Sequence, residues 1–396
     1  MKNADADALA RLKKRARRIA DALPPGARAA ALSTEEGRAA FLRAAQRILK
    51  RERAVGASVV LLDRSGQTQA FCFGRARLSP KVPVTPDTCF RVASVSKLVM
   101  TFGALSLCQS GQLHPDADLS ELLGYRVRSP RFPDTPVTLR MLLTHTSGIR
   151  DEGNYGTRGM QRGCTLRELL ENPEHWLTSA PGTAFQYSNR GAGVAGVAME
   201  RAAKEPFEAI MQERVFQPLG MRASYDPARI APADALADGY SVRAFLPPIK
   251  KYDAAQLTKR PPQGFDPETD YLIAAGRMIT DSDGMGRLLR LLAAKEDTAV
   301  LSRESLSLMR APQTGAHGIL CMNRGLNTAF LPDVFPGFSP VGHQGVAYGM
   351  CCELWGDPET GDGVVFQSNG VQLSRGGSLM NVGADVLALG FSLLKR

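Results

Sequence analysis

The chain has 396 residues, 44% of them hydrophobic and 22% charged. That is the make-up of a globular protein with a large buried core, and the absence of any apolar run of about 18 residues or more excludes a transmembrane helix. The net charge of +10 is unevenly placed: residues 1–53 hold 14 Lys/Arg against 6 Asp/Glu, and the remainder holds 35 against 33. The body is therefore near neutral, which argues against a nucleic-acid-binding surface on it. Seven cysteines are an odd number for a disulfide framework, so a reducing, cytoplasmic location is expected. No C-x-x-C pair and no His/Cys cluster with zinc spacing occurs, so no metal is expected. Residues 1–30 are charged and lack an apolar centre, so they do not read as a signal peptide.

The first predicted element is a basic amphipathic helix over residues 8–23. Leu9, Leu12, Ala16, Ile19 and Leu23 recur at helical spacing and form one apolar stripe. The stripe is expected to cover the body or a partner subunit. A peripheral membrane contact or self-association through residues 8–23 is the alternative. Leu23-Pro24-Pro25-Gly26 ends this helix. A second helix is expected over Thr34 to Arg53. Residues 1–36 are assigned to an N-terminal helical extension and 37–396 to the main domain.

Ala57 to Leu62 is an apolar run that reads as a buried strand. Asp63-Arg64-Ser65-Gly66 is a hairpin turn, and Thr68 to Phe73 is the returning strand. Val92 to Leu107 is apolar and helix-periodic, and Ser94-Val95-Ser96-Lys97 opens it. Ser94 and Lys97 are three residues apart and share one helical face. A serine hydroxyl is a poor nucleophile until a neighbouring base takes its proton. The free N–H groups and positive end of the helix also suit a developing oxyanion. Ser96 points away from Lys97. The apolar flanks of Lys97 argue for a buried amine.

Helix follows at Ala192 to Ala203. Gly191, Gly193 and Gly196 form a G-x-G-x-x-G, but no apolar strand precedes it, so the glycines are read as close-packing residues rather than a dinucleotide loop. Residues 243–270 show no periodicity and are expected to be a long loop beside the site. Strands are expected at Met350 to Trp355 and Gly363 to Gln367, and a last helix at about Asn381 to Leu394. This order gives an α/β plus all-α architecture. An antiparallel sheet built from both chain ends is flanked by helices, with a mostly helical middle region at about 98–270.

Three further motifs give the Ser94 helix its meaning. Tyr187-Ser188-Asn189 follows the turn Pro181-Gly182, and His343-Gln344-Gly345 follows later. Phe90 to Lys97, Leu142-Leu143-Thr144-His145-Thr146-Ser147-Gly148-Ile149 and Gly276 to Asp283 flank them. Together the blocks resemble the serine β-lactamase and penicillin-binding-protein superfamily, over roughly residues 40–396. The tyrosine motif points to the class C-like branch with D,D-carboxypeptidases, D-aminopeptidases and family VIII esterases.

The resemblance implies a serine hydrolase that forms an acyl-enzyme on Ser94, without a cofactor. Lys97 and Tyr187 would take the serine proton. A phenol is a weak acid, so Tyr187 would need nearby cations to serve as a base. Asn189 would hold Lys97 and the substrate carbonyl. Gly345 lies in the strand edge along the substrate, and the N–H groups of Ser94 and Val346 would hold the oxyanion. His343 stands where β-lactamases carry lysine, which favours esters and peptides over β-lactams. His145 is expected to be a loop residue bonded to backbone. The substrate would be an ester or amide of a small molecule or a D-amino-acid peptide. An acyltransferase or transpeptidase using the same acyl-enzyme is one rival, and a non-catalytic binding protein on this fold is the other.

Overall fold

A computed structural model describes residues 2–23, 34–151, 165–230, 232–257, 270–317, 322–374 and 379–394. The six longest helices among the described residues are α1 (Lys2–Asp21), α2 (Glu35–Arg51), α3 (Val95–Gln109), α4 (Asn189–Ala203), α5 (Ser282–Ala293) and α6 (Asn381–Leu394). The main sheet, in chain order, has β1 (Gly56–Leu62), β2 (Thr68–Arg77), β3 (Val82–Pro83), β4 (Thr314–His317), β5 (Met322–Arg324) and β6 (Ala329–Phe330). Its last three strands are β7 (Val341–Ala347), β8 (Met350–Gly356) and β9 (Gly363–Ser368). Their spatial order is β3-β2-β1-β9-β8-β7-β6-β5-β4, and every pairing is antiparallel. The sheet is thus closed from the two chain ends, with β1 beside β9.

The continuous apolar run of β1 follows from burial on both faces. Side chains alternate across a strand. Val59 and Leu61 join Phe41 and Ile48 of α2, Leu387 and Phe391 of α6, and Leu12 and Ala16 of α1. Val60 and Leu62 face the other way and join Leu98 of α3 and Leu288 and Leu292 of α5. Each such leucine contributes about 1.5–3 kcal/mol by leaving water.

Helix α2 begins where Thr34 Oγ1 accepts the Gly37 N–H at 3.1 Å, with Glu35 and Glu36 in its first turn and Lys50 and Arg51 in its last. Cap and charges both complement the helix dipole. The stripe of α1 lies on the body: Ala8, Leu12, Ala16 and Leu23 are buried, and Arg15 reaches the wholly buried Asp385 of α6 at 2.5 Å. Arg51 of α2 meets the same carboxylate. The exposed face of α1 carries Arg11, Lys14, Arg17 and Arg18.

The middle region, about 98–270, is mostly helical as expected, and short strands accompany it. Phe90–Arg91, Ile279–Thr280 and Ala223–Ser224 form a second, three-stranded sheet. The expected loop is only partly one: residues 243–248 connect Gly239–Ser241 and Ile249–Tyr252 as a hairpin, and Ala254–Leu257 is a short helix. The segment 258–269 lies outside the described residues. Helix α4 starts at Asn189, ahead of the expected Ala192, because Ser188 Oγ caps it through the Gly191 N–H at 2.8 Å. Two of its glycines are contact points: a Cβ on Gly193 would lie 2.4 Å from the Tyr271 carbonyl oxygen, and one on Gly196 would lie 2.9 Å from Ala274 Cβ.

Candidate active site

The site is built on the first turn of α3. Val92-Ala93-Ser94 turns sharply out of the second sheet, with Ala93 in the left-handed region at φ 48°, a conformation that costs a non-glycine residue free energy. Ser94 occupies the N-cap position, and its side chain makes no capping bond. Its hydroxyl is half-buried and available for other work. Ser96 is committed elsewhere. Its hydroxyl donates to the Ala93 carbonyl at 2.6 Å and accepts the Met278 N–H at 3.1 Å.

Lys97 is fully buried one helical turn on. Its Nζ donates to Ser94 Oγ at 3.2 Å, Asn189 Oδ1 at 2.5 Å and the Ala275 carbonyl at 2.5 Å. Three neutral oxygens thereby surround Nζ. Nζ also lies 5.0 Å from the centre of the Tyr187 ring, within cation–π range. Ser94, Lys97, Tyr187 and Asn189 therefore converge, although up to 95 positions separate them in the numbering of the chain.

The Tyr187-Ser188-Asn189 segment is clamped from below by the loop after Leu143. His145 sits at φ 57°, its carbonyl accepts the Gln186 N–H at 2.8 Å, and its Nδ1 accepts the Ser188 N–H at 3.2 Å. The His145 and Tyr187 rings lie 4.5 Å apart between centres. Asp151 completes the clamp and was missed in the sequence. Its carboxylate accepts Ser188 Oγ–H at 3.1 Å, the Asn189 and Arg190 N–H groups at 2.7 and 2.9 Å, and Asn189 Nδ2–H at 3.1 Å. An anion at the N-terminus of α4 is favoured by the free N–H groups and the dipole. It also fixes the Asn189 amide, with Oδ1 toward Lys97 and Nδ2 toward the carboxylate.

The second wall is the edge of β7. This strand pairs with β8 from Val341 to Ala347, but with β6 only at Val341 and Gly342. From His343 onward the outer edge passes the Ser94 turn. The approach is close: a Cβ on Gly345 would lie 2.2 Å from the Val92 carbonyl oxygen and 2.9 Å from the Ser94 nitrogen. Val346 follows on the same edge and is half-buried. His343 is buried, and its Nδ1–H donates to the Gln344 carbonyl at 2.6 Å.

Behind the edge lies a second group that the sequence did not reveal. Gln344 is paired across the strands with Glu353, and its Nε2–H donates to Glu353 Oε1 at 2.5 Å. Trp355 Nε1–H donates to Oε2 at 2.8 Å. Burial pushes the Glu353 carboxyl up to about 8, against which these two bonds act. Among the described residues no group of three His, Cys, Asp or Glu side chains is placed to hold a metal ion. No helix among them is long and apolar enough to cross a membrane.

Comparison with known proteins places this geometry. The chain is 35% identical to the esterase EstB of Burkholderia gladioli over 199 residues, 46% of this chain and 50% of that protein. It is 28% identical to the D-alanyl-D-alanine-carboxypeptidase/endopeptidase AmpH of Escherichia coli K12 over 187 residues, 44% of this chain and 46% of that protein. The chain thus spans about half the length of these curated relatives. The solved structure of EstCE1, a hydrolase with promiscuous acyltransferase activity, matches 98% of this chain and 99% of its own with a TM-score of 0.70 at 23% identity. That likeness shows the shared fold. The Beta-lactamase family model matches residues 41–386, and the chain belongs to that family.

Proposed function

We propose that this protein is a serine hydrolase that forms an acyl-enzyme on Ser94 and acts on an ester or amide of a small molecule or a D-amino-acid peptide. The observation that carries the reading is the convergence on Lys97 Nζ, which touches the Ser94 hydroxyl and Asn189 from inside a buried site. The likeness to the esterase EstB and to the carboxypeptidase/endopeptidase AmpH supports the same reaction class.

In this mechanism Ser94 Oγ attacks the carbonyl carbon, and its proton passes to the Lys97–Tyr187 pair. The N–H groups of Ser94 and Val346 receive the oxyanion. Such a donor is worth about 10² to 10³ in rate. The carbon–heteroatom bond breaks as Tyr187 protonates the leaving group. Water then attacks the acyl carbon and gives its proton to Tyr187, which passes it to the departing Ser94 Oγ and so restores the starting state. Asp151 acts through Asn189, holding the amide that holds Lys97. His343 is assigned to substrate preference rather than to proton transfer. Buried free cysteines at 89, 351 and 352 support a reducing, cytoplasmic setting.

The test is release of p-nitrophenol from p-nitrophenyl acetate, read before and during the steady state. A burst close to one equivalent per chain, lost in Ser94→Ala, is the expected result. Turnover by Ser94→Ala within tenfold of wild type would remove the assignment. Comparison of short esters with D-alanyl peptides and D-amino-acid amides then fixes the substrate class.

A further inference from the structure

The large hydrophobic side chains exposed among the described residues gather at one corner. They are Phe245 at 96% exposure, Tyr348 at 58%, Leu246 at 48%, Ile249 at 46% and Leu373 at 39%. Phe245 and Leu246 form the tip of the 239–252 hairpin, and Ile249 opens its second strand. The Gly349 backbone packs on the Tyr240 carbonyl, which sets Tyr348 against the base of the hairpin. The Val242–Gln372 bridge brings Leu373 alongside.

Cations surround this corner. Arg53 is exposed and donates to the Leu246 carbonyl at 2.8 Å. Arg243 and Lys251 are exposed beside the tip. None of these three makes an ion pair among the described residues. Lys250 differs, since its Nζ lies 2.7 Å from Asp238 and 3.6 Å from Asp253. The corner adjoins the site. Tyr348 follows Val346 by two residues, and its ring centre lies 5.1 Å from the guanidinium of Arg91, three residues before Ser94.

We propose that the 239–252 hairpin docks the protein on an anionic phospholipid surface, with Phe245 and Leu246 entering the interface and Arg53, Arg243 and Lys251 meeting the headgroups. A protruding apolar tip next to Pro247 and Pro248 offers no groove for a peptide. An apolar tip ringed by unpaired cations has the chemistry of an interfacial anchor. The apolar stripe of α1 is covered by the body, so that helix can add charge but no insertion. Docking in this pose brings the strand edge that carries Val346 and Tyr348 near the membrane, where lipophilic esters partition.

The test is sedimentation of the full chain with vesicles of phosphatidylcholine alone and with added phosphatidylglycerol. Binding to the anionic vesicles, weakened by 0.5 M salt (about a 4 Å Debye length), is expected. Phe245→Asn combined with Leu246→Ser should lower the partition coefficient at least tenfold. Asparagine tolerates the φ of 63° at position 245. Hydrolysis of a water-soluble ester should stay unchanged, and vesicle binding is read without turnover, so it stands apart from the Ser94 assignment. If the variant melts below wild type, Arg243→Ser with Lys251→Ser takes its place with the same expected loss. Wild type that ignores both vesicles, a folded variant that still binds, or a dimer by light scattering that only the wild type forms would each overturn the proposal.

Discussion

Gly345→Ala tests the second wall of the site through one methyl group. The added Cβ would lie 2.2 Å from the Val92 carbonyl oxygen, 2.9 Å from the Ser94 nitrogen and 3.1 Å from the Val95 nitrogen. All three neighbours are backbone, so none can rotate aside. A carbon-to-oxygen contact settles near about 3.3 Å, so β7 must withdraw from the Ser94 turn by about 1 Å. That movement separates the N–H groups of Ser94 and Val346. A displacement of about 1 Å can cost about 10² in rate, and loss of one oxyanion donor about 10² to 10³. We expect kcat/KM on p-nitrophenyl acetate to fall by about 10² to 10³, while overpacking costs only about 1–3 kcal/mol of stability. Gly276→Ala is the matched control. It lies by the same turn, yet its Cβ would meet nothing nearer than Ala93 at 3.6 Å. It should stay within a few-fold of wild type. A folded Gly345→Ala that also does so would refute the reasoning.

Lys97→Ala and Tyr187→Phe should each lower acylation by about 10² or more, and the double variant should lose much less than the product, because the pair shares one proton path. Stopped-flow rates for the four proteins decide this, and multiplicative losses count against it. Glu353 should make stability pH-dependent. Burial raises its carboxyl from 4.5 to about 8, so the folded chain keeps a proton that the unfolded chain loses. Stability from this group is complete below the unfolded value, falls as pH rises between the two values and levels off above the folded one. Urea titrations at pH 5 and pH 9 should show wild type losing on the order of a few kcal/mol relative to Glu353→Gln; equal pH slopes would count against it. Leu12→Ala should cost about 2–5 kcal/mol by emptying a buried contact between α1 and the body, and an unchanged urea midpoint would mean that α1 is detached.

The fold was legible where burial writes itself into composition. The run at β1 announced a strand enclosed on both faces, and the periodic stripe of α1 announced a helix that must be covered. The partner of that helix was not legible, because Asp385 lies at the far end of the chain inside an otherwise apolar helix. Residues 243–252 were read as loop, since the strand Ile249–Tyr252 is short, carries two lysines and no alternating apolar pattern, and follows Pro247 and Pro248. At the site, Ser94 and Lys97 were marked by spacing on one helical turn, and Tyr187, Asn189, His343, Gly345 and Val346 by motif order. Asp151 was invisible because its contacts lie 37 to 39 residues on. An acid two residues past the Leu142–Ile149 block, facing a helix N-terminus, is the signal that could have found it. Glu353 was hidden in a fully buried strand, where a carboxylate is understood only once Gln344 and Trp355 stand beside it.

The most direct test of the central claim is the intact mass of the protein after incubation with a fluorophosphonate, followed by peptide mapping. The account predicts one adduct per chain on Ser94, absent from Ser94→Ala and strongly slowed in Lys97→Ala. A folded wild type that stays unlabelled, or an adduct carried by Ser96 or any other residue, would contradict it.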